Sequence, residues 1–194
     1  ENSQFDISQG ALLNLWHEAR ENTQVPPSDD KIQEALHHID LDKIQISGHE
    51  VSYLDPELSI DLGAIAKGYT AQLAKEALNK AGLTNGYINA GGNVVLLGEK
   101  EDGTNWKIGI QSPDANDALV QYSTKKATCL VTSGDYQRYF TYKNKKYSHI
   151  IDPKTGYPAN YVRSVTVITK DSGKADALST TLFCMSVEDG KKYL

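Results

Sequence analysis

The chain has 194 residues, 39% hydrophobic and 23% charged, with a formal net charge of −5, which suits one globular domain with a core of its own. The charges are dispersed and no basic run offers the footprint that nucleic acid or an anionic membrane needs, so a polyanionic ligand would have to be met by local donors or a metal ion. No apolar stretch reaches the roughly 18 residues of a membrane span, and the sequence starts at Glu1 without a charged-then-apolar leader, so as it stands it reads as soluble.

In chain order, Pro26-Pro27-Ser28-Asp29-Asp30 breaks the backbone and opens a helix, because Ser and Asp oxygens accept the free amides of a first turn. Ile32, Ala35, Leu36 and Ile39 then recur at helical spacing. Residues 43–47 and 50–54 alternate about Gly48-His49 as a hairpin closed by Asp55-Pro56. From Ala64 to Ala81 a stripe of Ile65, Tyr69, Leu73, Ala77 and Leu78 predicts a helix ended by Gly82 as a left-handed cap. The second half predicts strands over 87–90, 94–97, 106–111, 127–132, 136–142, 146–151 and 162–169, with 143–145 as a turn. An Ala- and Leu-rich helix follows over 175–185. Strands gathered between a few helices, without regular alternation, predict an α+β fold of layered antiparallel or mixed sheets with packed helices. Cys129 and Cys184 sit in apolar runs without Cys-x-x-Cys spacing and read as two buried free thiols.

Four segments are polar where a plain core has no use for polarity. Asp61-Leu62-Gly63-Ala64-Ile65-Ala66-Lys67-Gly68-Tyr69 puts a carboxylate before a helix and a lysine on its first turn, which makes either a cap with a solvated lysine or a phosphate site. Asn89-Ala90-Gly91-Gly92-Asn93 is either a plain hairpin turn or a place where backbone approaches a ligand, with amides from Asn89 and Asn93 beside it. Ser133 to Tyr139 leads into Ser148 to Pro158. There His149 and Asp152 could take a hydroxyl proton near neutral pH, while Asp152 could equally cap the turn Asp152-Pro153-Lys154-Thr155-Gly156. Arg138 could serve a phosphate or pair with Asp135 or a surface carboxylate. Finally, Asp176 and Thr180 fall one helical turn apart in Lys174 to Thr181, which makes either a hydrogen-bonded pair or two hard oxygen ligands of the kind magnesium prefers.

Taken in order, Phe5-Asp6 with Gly10 and Leu13-Asn14-Leu15-Trp16, Asp61 to Tyr69, Asn89 to Asn93, Ser133 to Tyr139, His149 to Pro158 and Ala175 to Leu182 resemble the signature of the ApbE family of FAD:protein FMN transferases. The resemblance covers essentially the whole chain as a single domain. It implies a T-fold-related architecture and Mg²⁺-dependent transfer of FMN from FAD to a threonine hydroxyl, with AMP released. FAD hydrolysis to FMN and AMP, or FAD carriage without turnover, are the rival activities. The implied Mg²⁺ ligands are Asp176, Thr180 and the carbonyl of Ala64. Asp61, Lys67, Asn89, Gly91, Gly92 and Ile151 would line the FAD site, His149 and Asp152 would flank the reacting phosphate, and Trp16 would lie in a loop near the flavin. The implied partners are FAD and an acceptor protein or flexible segment, such as a subunit of a membrane redox complex, and not nucleic acid. The resemblance also implies an extracytoplasmic, membrane-anchored lipoprotein, with an N-terminal segment and a C-terminal tail that this chain lacks.

Overall fold

The structure, a computed structural model, describes residues 4–194. The predicted α+β class is the one observed. Helix α1, Gly10–Glu18, was not foreseen. Its buried Leu12 and Trp16 lie four apart, and the helix runs on through a wider turn, Ala19–Thr23, that ends at Gln24 with φ 54°. Helix α2, Asp29–His37, sets Ile32 and Ala35 against Leu12, Trp16 and Ala19, and Phe140 and Ile151 complete this first core. Ser28 is the residue before α2, as expected, but its side chain makes no capping hydrogen bond.

Strands β1, Ile44–Ser47, and β2, Glu50–Tyr53, form the predicted hairpin about Gly48, whose φ of +60° suits glycine. It stands clear of the body, with Ile46 and Val51 exposed. What ties it down is His38 at the end of α2. Its Nδ1 lies 2.9 Å from Asp55 Oδ2, and Lys43 donates to the same oxygen at 3.1 Å.

Helix α3 runs over Ala66–Lys80, two residues later than predicted because Ile65 and Ala66 first fold back on the carbonyl of Leu62. Gly82 ends it with φ +84°, as the sequence implied. The apolar stripe is corrected: Tyr69 and Leu73 are about half exposed, and the buried face is Gly68, Ala71 and Lys75. The reason is α4, Ser172–Phe183, which crosses so closely that small residues must face it; a Cβ on Gly68 would run into the Ser172 carbonyl. Lys75 tolerates burial because its ammonium donates to the Lys170 carbonyl at 3.2 Å. Asp171 starts α4 by accepting from the Lys174 amide, and Thr180 and Thr181 are carried within it.

Strands β3, Tyr87–Ala90, and β4, Asn93–Leu96, pair across Gly91-Gly92. They join β7, Cys129–Gly134, and β10, Ser164–Thr169, in an antiparallel sheet of order β10-β7-β4-β3. Side chains alternate along β4: Val95 points with Cys129 and Ala71 into the helix layer. Val94 and Leu130 face the opposite way, across a cavity of about 180 Å³ from a separate ribbon of β5, Trp106–Gln111, and β6, Ala118–Thr124. Strand β6 was missed because its apolar residues Ala118, Leu119 and Val120 are consecutive rather than alternating and exposed, and only Tyr122 and Thr124 are partly buried. Strands β8, Tyr139–Tyr142, and β9, Lys145–Ser148, form a tight hairpin through Lys143 and Asn144, both at positive φ. Helix α5, Val187–Tyr193, also unforeseen, is opened by Ser186 accepting from the Asp189 amide. Both cysteines are buried and free, as read from sequence, and burial pushes the Cys184 thiol up to about 12. Among the described residues no helix is long and apolar enough to cross a membrane.

The His38 clamp gives the fold a pH dependence. The hydrogen bond to Asp55 holds the imidazole above its ordinary range, and the same bond holds Asp55 down to about 2. The raised imidazole adds stability that is full below about 6.5 and fades as pH rises through its folded value; the lowered carboxylate adds stability that is full above about 3.8 and fades as pH falls toward about 2. His38→Gln should therefore lower Tm most between about pH 4 and 6.5 and progressively less above it. Thermal melts across that range check this, and a loss that stays flat into the alkaline range would contradict it.

Candidate functional site

One cleft of about 470 Å³ runs between the start of α3, the middle of α4, the end of β7 and the residues after β9. Its floor is Asp176, 3% exposed, whose Oδ2 accepts the Gly68 amide at 2.7 Å. The close crossing of α3 and α4 at Gly68 is what lets that amide reach the carboxylate. Burial raises the Asp176 pKa, opposed in order by the Gly68 amide, the Lys67 ammonium and Asn93. Lys67 Nζ lies 3.9 Å from the carboxylate and donates to the Gly63 carbonyl at 3.3 Å. Asn93 is 2% exposed, and its Nδ2 forms no hydrogen bond among the described residues, so its pull on Asp176 is the weakest of the three. Thr180, one turn along α4, also lines the cleft, with its hydroxyl 3.3 Å from that of Ser133.

The loop before α3 completes this wall. Asp61 Oδ1 accepts the Gly63 amide at 2.7 Å, so Asp61 folds the loop and does not cap the helix. That turn brings Gly63 and Ala64 to the cleft beside Asp176. Gly91 and Gly92, at φ 61° and 99°, form the β3–β4 turn, with Asn89 Oδ1 accepting the Gly92 amide at 3.0 Å. Gly91 borders the cleft as well as the adjoining cavity of about 180 Å³, whereas Asn89 and Gly92 line only the latter.

Opposite stands His149, just past β9. Its amide donates to the Arg138 carbonyl at 3.0 Å, and its Nδ1 lies 3.2 Å from the same oxygen. A carbonyl can only accept, so the ring proton belongs on Nδ1 and the Nε2 lone pair is free. Burial first, then the Arg138 charge, lowers the imidazole to about 4, which keeps it neutral at physiological pH. Arg138 is not paired with Asp135, an alternative left open by the sequence; Asp135 is taken by Arg163 at 2.6 Å and Lys146 at 3.1 Å.

Two expectations are corrected. Asp152 does not join His149: it is 2% exposed and lines a separate cavity, its Oδ1 accepting the Lys154 amide at 2.9 Å and its Oδ2 the Tyr161 hydroxyl at 3.2 Å. Turn chemistry has claimed it. Trp16 is in a helix and not a loop, 3% exposed, with its indole N–H donating to the Gly156 carbonyl at 2.8 Å and its ring stacked on Tyr147 at 5.8 Å. It braces the wall from behind, while buried Ile151 reaches the cleft itself. From α1 the cleft receives Leu13, Asn14 and His17, and from the wider turn that follows it Arg20, whose Nη2 lies 2.9 Å from His17 Nδ1. His17 and Arg20 were missed because no helix was recognised there, and a three-residue spacing alone does not mark a site.

The charge pattern follows from this placement. Lys67, Arg20 and Arg138 supply fixed positive charge around a neutral histidine, and Asp176, Thr180 and the Ala64 segment gather oxygens at the other end. Among the described residues no three of His, Cys, Asp and Glu cluster as metal ligands. The site is of the class that receives an anionic ligand between basic side chains and hard oxygen donors.

The model of the ApbE family matches residues 1–194, and the chain belongs to this family. It is 37% identical over 191 residues to the FAD:protein FMN transferase of Vibrio cholerae and 39% identical over 194 residues to that of Klebsiella pneumoniae. These alignments take in 96% and 97% of the chain but 57% and 58% of the relatives, so the chain spans under three fifths of their length. The ApbE protein of Thermotoga maritima superposes with a TM-score of 0.88 at 39% identity, over 97% of this chain and 62% of that one. The flavin transferase ApbE of Vibrio cholerae does so with 0.79 at 36%, over 96% and 60%.

The His149 environment has a direct spectroscopic consequence. In the ligand-free protein its ring nitrogens should titrate by NMR with a midpoint near about 4, with the protonated nitrogen at neutral pH being Nδ1. A midpoint at or above the ordinary value of about 6.5 would contradict the buried, Arg138-facing placement.

Proposed function

We propose that the full protein to which this chain belongs is an FAD:protein FMN transferase, which joins FMN through its phosphate to a threonine of an acceptor protein. The observation that carries the reading is the pairing, across one cleft, of the buried Asp176 carboxylate and the partly buried Thr180 hydroxyl with a neutral histidine flanked by cations. The relatives' names supply the substrate class. In the balanced step the threonine Oγ bonds to the FMN-side phosphorus of FAD, the bond from that phosphorus to the bridging oxygen breaks, and AMP leaves with the electron pair.

His149 would take the hydroxyl proton. Its Nε2 is unprotonated because the Arg138 carbonyl holds the proton on Nδ1, and a base kept neutral at pH 7 needs no prior loss of a proton. Lys67, Arg20 and Arg138 would hold the pyrophosphate and hinder its departure from an in-line pose. The oxygens of Asp176, Thr180 and Ala64 fit Mg²⁺, since all three line one cleft and the Asp176 carboxylate lacks a full counter-charge. Bound there, Mg²⁺ would neutralise charge developing on the pyrophosphate. Asp152 we assign to folding the turn and not to proton transfer. On family grounds we place the full protein outside the cytoplasm with a lipid tether, and its acceptor among proteins or flexible segments such as those of membrane redox complexes.

Incubating the full protein with FAD, Mg²⁺ and a threonine-bearing acceptor tests this, reading the acceptor's mass and free AMP. An FMN-sized gain with equimolar AMP is expected, and His149→Ala should slow it by about 10²–10⁴-fold. FMN and AMP without a mass gain would mean that water is the acceptor, and no turnover would mean an FAD carrier; either would overturn the reading.

A further inference from the structure

Behind His149 lies a second cavity, of about 400 Å³, that neither the FAD cleft nor the family match explains. Four consecutive residues of β9, Lys145 to Ser148, form one wall, and Pro158 to Arg163 form the other. Because successive side chains of a strand point to opposite faces, consecutive lining residues mean that the strand's edge borders the space.

The backbone pattern identifies what that edge offers. His149 donates to Arg138, and Phe140 is registered with Tyr147 and Tyr142 with Lys145, so the odd positions of β9 turn toward β8. Lys146, Ser148 and Ile150 then turn their amides and carbonyls the other way. The returning chain occupies only the last of these, where the Ala159 amide donates to the Ile150 carbonyl at 2.9 Å. Beyond Ala159 that chain splays off, and among the described residues no backbone bond joins Lys146 or Ser148 to residues 160–163. The Ser148 side chain adds a second, independent sign: it is 6% exposed, borders the cavity, and its Oγ has no hydrogen-bond partner among the described residues.

We propose that this slot receives an extended peptide segment of the acceptor protein, which adds as a strand to the free edge of β9; the inference rests on the transferase reading above. An incoming strand supplies the missing partners of Lys146 and Ser148, as strand addition does at other sheet edges. Pairing must stop at Ser148, because Ile150 is already taken, so the segment leaves the edge beside His149. Charge specifies the partner further. The charged residues lining the slot are Lys145, Lys146 and Arg163 against Asp135 and Asp152, and Asp135 already holds Lys146 and Arg163, so the cation left to an incoming segment is Lys145, whose ammonium lies 5.3 Å over the Tyr147 ring. An acidic segment fits there better than a basic one.

The test uses the full protein with two synthetic 11-residue peptides, each with a central threonine, one flanked by Asp and Glu and one by Lys. Hydrogen exchange of residues 145–148 and the FMN mass gain of the peptide are read together. The acidic peptide should slow exchange there and be labelled at least tenfold more than the basic one. Asn160→Trp, which fills the slot from an exposed position, should abolish the protection and cut labelling at least tenfold with Tm unchanged. Protection without labelling would keep the slot and overturn the transfer chemistry. Labelling without protection, labelling indifferent to Asn160→Trp, or neither signal would overturn the slot.

Discussion

The architecture depends on one contact, the Gly68 amide donating to the buried carboxylate of Asp176 where α3 crosses α4. Removing a carboxylate from water costs several kcal/mol, and a hydrogen bond to a charged group returns about 1.5–3 kcal/mol. One amide therefore leaves a deficit, which the raised Asp176 pKa expresses. Lys67 reduces it only in part, since its side chain is 46% exposed and 3.9 Å away. Under the proposed reading, a bound cation would remove that deficit. The geometry that keeps the carboxylate buried, two helices close enough to exclude a Cβ at Gly68, also sets the depth of the cleft.

The opposite wall is built on the reverse principle. His149 is deprived of its charge by burial and by Arg138, and the carbonyl of that same residue fixes its tautomer. One end of the cleft thus carries a buried carboxylate and the other a neutral imidazole, with Lys67, Arg20 and Arg138 also lining it. That polarity suits a pyrophosphate with a nucleophile approaching from the His149 side. The core holds both walls in place. Trp16, Phe140 and Tyr147 stack behind His149, and Ala71, Val95 and Cys129 lock α3 onto the sheet.

Local chemistry made part of this legible in the sequence. The β1–β2 and β8–β9 hairpins, the Gly82 cap and the helix carrying Asp176 and Thr180 follow from turn residues and spacing that act over a few positions. What tertiary contact decides was not legible. The inward face of α3 is Gly68, Ala71 and Lys75 because α4 lies against it, and no hydropathy stripe encodes a partner's proximity. Asp152 carried two readings that sequence could not separate, and the structure gave its oxygens to Lys154 and Tyr161. Trp16 looked available for a ligand until α1 turned it into the core, and α1 with the turn after it brings His17 and Arg20 to the cleft instead.

The most direct test of the proposed site is calorimetric titration of Mg²⁺ into the full protein in the presence of FAD, comparing the native protein with Asp176→Asn. Asparagine keeps an oxygen for the Gly68 amide and removes only the charge, so the fold should hold while Mg²⁺ affinity falls by at least tenfold. Equal affinity in the two proteins would contradict the claim that the uncompensated carboxylate of Asp176 organises the site.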